Sequence, residues 1–250
     1  MELRHHIDSI SRRHELYAYL AGKISGRKNA SSSYESNVVK TTVLEASAVP
    51  DGPVTPEYVK NLFSTEERPA EVVQLEEANF FRVTRQGKSD ERPVIWVDAT
   101  ANPRFWLSHS VSSAKILRPW HSQVIRTNPL LDRAWLWPQM LEEIQSWGSS
   151  RGFHVAYEGR EFSDIVKSEM PLWSQQVMAG RKTAEVYSQM KELYRGSIVL
   201  SRVYFTEETD GETPSLIQDI GKYGNLNARG TDALTHIRTA NKVRKRYAQA

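Results

Sequence analysis

The stretch VIWVDATANPRFWLSH, residues 94–109, decides the fold. Two runs dense in β-branched and aromatic residues flank Ala99-Thr100-Ala101-Asn102-Pro103, a turn-forming insert. Such runs suit central strands, and a short polar insert between them suits a hairpin. The spacing predicts strands at 94–98 and 104–109 joined by a five-residue loop. In that register Asp98 sits opposite Arg104, while His109 lies at the far end, about 15 Å away at strand spacing. A cross-strand Asp98–Arg104 pair is therefore expected, and an Asp98–His109 acid–base pair is not.

Working outward, residues 38–46 and 71–85 also read as strand. Thr55-Pro56-Glu57 is a helix start: a capping hydroxyl, proline at the first helical position and an acid in the first turn. Tyr58, Val59, Leu62 and Phe63 give that helix its apolar face. A helical region is expected over 112–147, clearest from Pro138 to Gly148, where Met140, Leu141, Ile144 and Trp147 share a side. Strand 153–158, helix 184–195, strand 197–206, a short extended segment at 216–229 and a final helix at 232–247 follow. Ser149-Ser150-Arg151-Gly152 is the expected division between the halves.

At the N-terminus Leu3, Ile7, Ile10, Tyr17, Ala21 and Ile24 recur at gaps of four and three, with His14 filling the vacant place. That is a heptad seam. Leu16 and Leu20 widen the apolar face, so docking on the chain's own body competes with a coiled coil. Ile7, Ile10, His14 and Tyr17 become candidate protein-interface residues, for a partner or a second copy. The stretch 26–36, small and polar, reads as a linker.

The chain holds 250 residues, enough to bury a core, and has no cysteine, which excludes disulfides, thiolate metal sites and cysteine nucleophiles. The N-terminus lacks the uninterrupted apolar run of a signal peptide, and no run is long enough to cross a membrane. A cytoplasmic location is the expectation. The net charge of +3 is unevenly placed. Residues 1–30 carry six Lys/Arg against three acids, residues 231–250 five against one, and the rest sums to −4. Basic ends on a mildly acidic body suggest an anionic partner.

Motifs for chemistry are scarce. There is no Walker sequence, G-x-G-x-x-G, H-E-x-x-H, EF-hand loop or G-x-S-x-G. Nothing calls for a cofactor or a metal; His5, His6 and Asp8 offer too few ligands on one helix face. Most tryptophans sit in apolar strands or helix faces and should be core, whereas Trp173, after Pro171-Leu172, is the one expected at an interface. Arg229 and His236, six residues between them, form an eight-residue spacing that resembles the R-x4–6-H motif of HEPN-type ribonucleases. That resemblance implies metal-independent handling of a scissile phosphate by the pair. The alternative places Arg229 at a strand end and His236 on the surface of the last helix.

That last helix is the best-motivated surface. Leu234, Ile237, Ala240, Val243 and Tyr247 are expected inward. Arg238, Lys242 and Lys245 share an outer face flanked by Arg246, with Arg244 near the edge, a set suited to phosphate contact. The expectation is an α+β fold: an N-terminal amphipathic helix (1–25), the linker, a sheet-containing domain (37–150), and a smaller two-layer domain (151–250) for which a ferredoxin-like order is one arrangement. Its expected function is that of a non-enzymatic subunit of an intracellular protein–nucleic-acid assembly. A nucleic-acid-processing enzyme and a purely structural adaptor are the alternatives.

Overall fold

The computed structural model describes residues 7, 9–25, 38–49, 52–66, 68–85, 92–157, 174–194, 198–207, 216–230 and 232–250. Among them are six α-helices and eleven antiparallel strands, so the class is mixed α+β. The chain forms two compact units, unit 1 from residues 1–134 with 227–250, and unit 2 from residues 135–226. The expected division at 149–152 falls inside a strand, because Ser149–Tyr157 pairs with Ile198–Glu207 through two register shifts, the first between Ser150 and Gly152. The final helix is grouped with unit 1, since its apolar side packs on that unit's strands.

Unit 1 contains α1 (Arg13–Ser25), β1 (Val39–Ala46), α2 (Pro56–Phe63), β2 (Ala70–Gln74), β3 (Phe80–Arg85), β4 (Val94–Asp98), β5 (Phe105–Ser110), α3 (Ala114–Thr127) and β6 (Leu131–Arg133). After unit 2 the chain returns through β11 (Asn225–Gly230) and ends in α6 (Ala233–Ala248). Strand order is β2-β3-β4-β5-β1-β11, and β6 pairs with β1. Alternate residues serve opposite faces. Leu44, Phe81, Val83, Ile95, Val97 and Trp106 form one core with Val59, Leu62 and Phe63 of α2 and Leu117, Trp120 and Val124 of α3. Val39, Phe80 and Trp96 form the other with Ile10, Leu16 and Leu20 and with Ala233 and Ile237 of α6. The sheet of unit 1 thus lies between two helical layers.

Three local expectations change. Helix α1 begins at Arg13, because the Glu15 carboxylate accepts from Ser11 N at 2.7 Å, Ser11 Oγ at 3.1 Å and Arg12 N at 3.0 Å. A side chain that satisfies the first free amides starts a helix there and interrupts the heptad run. The helical region over 112–147 is broken at Asn128 and contains β6. The 94–109 hairpin takes another register: Asp98 faces Leu107 and His109 faces Trp96. Arg104 instead turns to β1, its Nε donating to Glu45 at 2.9 Å. The cap at Thr55 is as expected, its hydroxyl accepting from Tyr58 N at 3.2 Å.

Unit 2 contains α4 (Pro138–Gln145), β7 (Ser149–Tyr157), β8 (Ser174–Met178), α5 (Thr183–Leu193), β9 (Ile198–Glu207) and β10 (Leu216–Gly221), with strand order β10-β9-β7-β8. Along β9, Ile198, Leu200, Val203 and Phe205 are buried while Val199, Ser201, Arg202 and Tyr204 are only partly covered. Gly152 lies at the register shift between β7 and β9 and faces Met178 of β8; a Cβ there would meet Val177 O at 2.5 Å.

Candidate nucleic-acid interface

Helix α6 has two sides with opposite chemistry. Asp232 caps it, accepting from Thr235 N at 3.0 Å. Ala233, Ile237, Ala240 and Val243 enter the core, and His236 and Arg244 enter with them, at 0% and 6% exposure. Leu234 stands 48% exposed, against the expected inward position. Of the buried polar residues of α6, His236 and Arg244 reach the sheet for partners, since an unpaired polar group in the interior is costly.

His236 finds its partner on β1. Thr41 Oγ1 lies 2.8 Å from His236 Nε2 and 2.9 Å from His109 Nδ1 of β5. A hydroxyl carries one hydrogen, so it donates to one ring and accepts from the other. His109 Nε2 has no partner, and a bare lone pair is tolerated in the interior better than an orphaned N–H. The proton therefore sits on His109 Nδ1 and points at Thr41, whose own hydrogen points at His236 Nε2. Burial pushes the His109 pKa down to about 4, with the charge of Asp98 opposing and that of Arg244 assisting. Burial, then the neighbouring His109, pushes His236 down to about 3. Both rings are neutral near pH 7. Without contact to solvent they clamp α6 to the sheet and cannot meet a substrate.

Arg244 is held nearby. Its guanidinium donates to Asp98 O at 3.4 Å and to Asn241 Oδ1. Burial lowers its pKa, and the Asp98 charge works against that. Asp98 Oδ1 accepts from Thr100 N at 2.9 Å and from the Thr100 hydroxyl, which in turn accepts from Arg13 Nη1 at 2.8 Å. Tyr17 of α1 also faces this cluster: burial, then Asp98, raises its pKa to about 12. The new hairpin register places Asp98 two residues from the position opposite His109, on the same sheet face, so the pair dismissed by the sequence does come into electrostatic range.

On the solvent side of α6, Arg238, Lys242 and Lys245 are exposed, Arg246 is half-exposed, and the helix contains no acid. Arg244 does not belong to this face. Arg12 Nε pairs with Glu76 and Arg13 Nε with Glu77, each at 2.5 Å. Acids of the same unit thus compensate the basic start of α1.

The remaining candidates scatter. Ile10 is in the core, Ile7 and Tyr17 are half-buried, and His14 is exposed. Trp173, His5, His6 and Asp8 lie outside the described residues. Arg229 is exposed while His236 is buried, so the two share no surface, and His236 is not on the helix surface as expected. No group of three metal-ligating side chains occurs among the described residues. Trp96, Trp106 and Trp120 are core, but Trp135 is 53% exposed. It stacks edge-on with Tyr223 at 5.1 Å, and Lys222 Nζ lies 5.2 Å and 5.3 Å from their centroids. Sequence reading missed Thr41 and Asn241, whose partners no local pattern announces.

These features describe an α+β protein with one helix-sandwiched sheet and a cationic helix seated on it by buried polar contacts. The family described as MJECL33-like protein matches residues 4–250, and the chain belongs to that family. No curated protein matches it. Among the described residues no helix is long and apolar enough to cross a membrane.

Proposed function

We propose that this MJECL33-like protein is a non-enzymatic subunit of a cytoplasmic protein–nucleic-acid assembly, holding a phosphate backbone along the outer side of α6. The observation that carries this reading is the exposed row of Arg238, Lys242 and Lys245 on an acid-free helix. Charge supports it too: unit 1 has 24 Lys/Arg against 17 Asp/Glu, and unit 2 has 9 against 13. Contact of this kind reads charge, not base identity, and weakens with salt. The exposed Trp135–Tyr223 pair suits a protein partner, since exposed aromatics anchor interfaces. The N-terminal helix contributes less to such an interface, because Ile10, Leu16 and Leu20 are spent on its own core.

The test is binding of the whole protein to short DNA and RNA duplexes at about 50 mM and about 200 mM salt. The triple substitution Arg238→Ala, Lys242→Ala, Lys245→Ala should weaken binding and flatten the salt dependence by about 0.9 in log–log slope per lost contact. Absence of binding at the lower salt sinks the proposal.

A further inference from the structure

A second cationic stripe lies on the opposite helical layer of unit 1. Helix α3 buries Leu117, Trp120, His121 and Val124 and turns Lys115, Arg118, Ser122 and Arg126 to solvent. Gaps of three, four and four keep those four residues on one side of a helix. The sequence AKILRPWHSQVIRT contains no acid, and Lys115, Arg118 and Arg126 make no ion pair among the described residues. Arg133 of β6 reaches the same stripe, its Nη2 donating to Ser122 Oγ at 3.0 Å. The stripe runs about 16 Å, the span of about five phosphates along one strand.

Helices α3 and α6 pack on opposite faces of the unit 1 sheet, as the alternation of Ile95 and Val97 with Trp96 shows. A straight duplex touching one stripe cannot touch the other. We propose that α3 is a second backbone-binding surface and that unit 1 thereby bridges two nucleic-acid segments, one on each layer. This rests on the reading of α6 above. Charge complementarity names the occupant. A membrane surface is disfavoured because a surface-lying helix needs exposed apolar side chains, and no large apolar residue of α3 is exposed.

The experiment immobilises one duplex, loads the full-length protein, and measures capture of a second, fluorescent duplex. The variants are Arg118→Glu with Arg126→Glu, and the milder Lys115→Gln with Arg118→Gln and Arg126→Gln; melting curves confirm that they fold. Wild type should capture the second duplex. Both α3 variants should still load on the first duplex yet lose at least about tenfold in capture, as expected for two or three lost salt-sensitive contacts. Loading without capture by wild type overturns bridging and leaves the α6 reading intact. Undiminished capture by the α3 variants overturns it as well, since two copies joined through other surfaces would then link the duplexes. Failure of wild type to load overturns both readings. Binding of α3 to anionic phosphatidylserine vesicles, abolished by the same substitutions while duplex capture persists, replaces this proposal with a membrane one.

Discussion

Unit 1 and unit 2 treat the ionisable residues of their sheets differently. In unit 1 both sheet faces are covered, so the polar side chains of one face are sealed under α1 and α6: Thr41, His109 and Asp98 are at 1%, 0% and 2% exposure. Thr41 bridges His109 and His236 from distant elements, while Asp98 is held by Thr100. Unit 2 also buries neutral polar side chains, Thr183, Thr206 and Gln218, but its ionisable sheet residues stay partly wet. His154 accepts or donates to Tyr204 OH at 2.8 Å, and Arg202 grips Asp219 at 2.8 Å with both side chains partly exposed. Water can replace those contacts, and it cannot reach the ones in unit 1. Removing a partner should therefore cost far more in unit 1.

The largest contrast is expected at Asp98. Asp98→Asn keeps the backbone carbonyl that Arg244 reaches but removes the negative charge near that buried cation, and should cost about 3 kcal/mol, the upper end for a buried charged group left less well satisfied. Asp219→Asn in unit 2 should cost under about 1 kcal/mol, as for partly exposed pairs. Equal losses in denaturant titrations would erase the distinction. Next comes Thr41→Val, which keeps the shape and removes the hydroxyl between two imidazoles. A loss of about 2 kcal/mol is expected, with amide exchange accelerated in β1 and β5 and unchanged in β7 and β9. An unperturbed β1–β5 pair would mean the clamp contributes nothing.

The third contrast is with pH. Burial lowers the folded pKa values of His109, His121 and His236 to about 4, 3 and 3, below the ordinary 6.5. Between 6.5 and those values the unfolded chain binds more protons than the folded one. Stability is then complete above pH 6.5 and falls as the pH drops toward 4, by up to about 1.4 kcal/mol per pH unit for each ring. The one histidine of unit 2, His154, is only partly buried. Amides of β5 should lose protection on acidification earlier than amides of β9, and simultaneous loss would contradict this. The smallest effect on stability is expected for Arg238→Ala, Lys242→Ala and Lys245→Ala, within about 0.5 kcal/mol each, since surface changes rarely exceed that.

Some of this was legible in the sequence. The Thr55-Pro56 cap, the Pro138 start and the strands at 94–98 and 104–109 depend on neighbours in sequence, and the structure has them. The hairpin register was not, because the pull of β1 on Arg104 and on the β5 partners is nonlocal. Nor was the inner side of α6. Periodicity assigns histidine and arginine to the surface, and the burial of His236 depends on partners such as Thr41, 195 residues earlier in the chain. The exposed cations were legible because exposure needs no partner; Arg244 was misplaced because burial does.

Unit 1 is also discontinuous along the chain. The side of its sheet carrying Phe80 and Trp96 waits for Ala233 and Ile237, and the 92 residues of unit 2 are made in between. At ribosomal speeds of about 5–20 residues per second, that face stays incompletely covered for roughly 5 to 20 s in every newborn chain. Chaperone dependence, and premature sticking of truncated translation products, should trace to that interval.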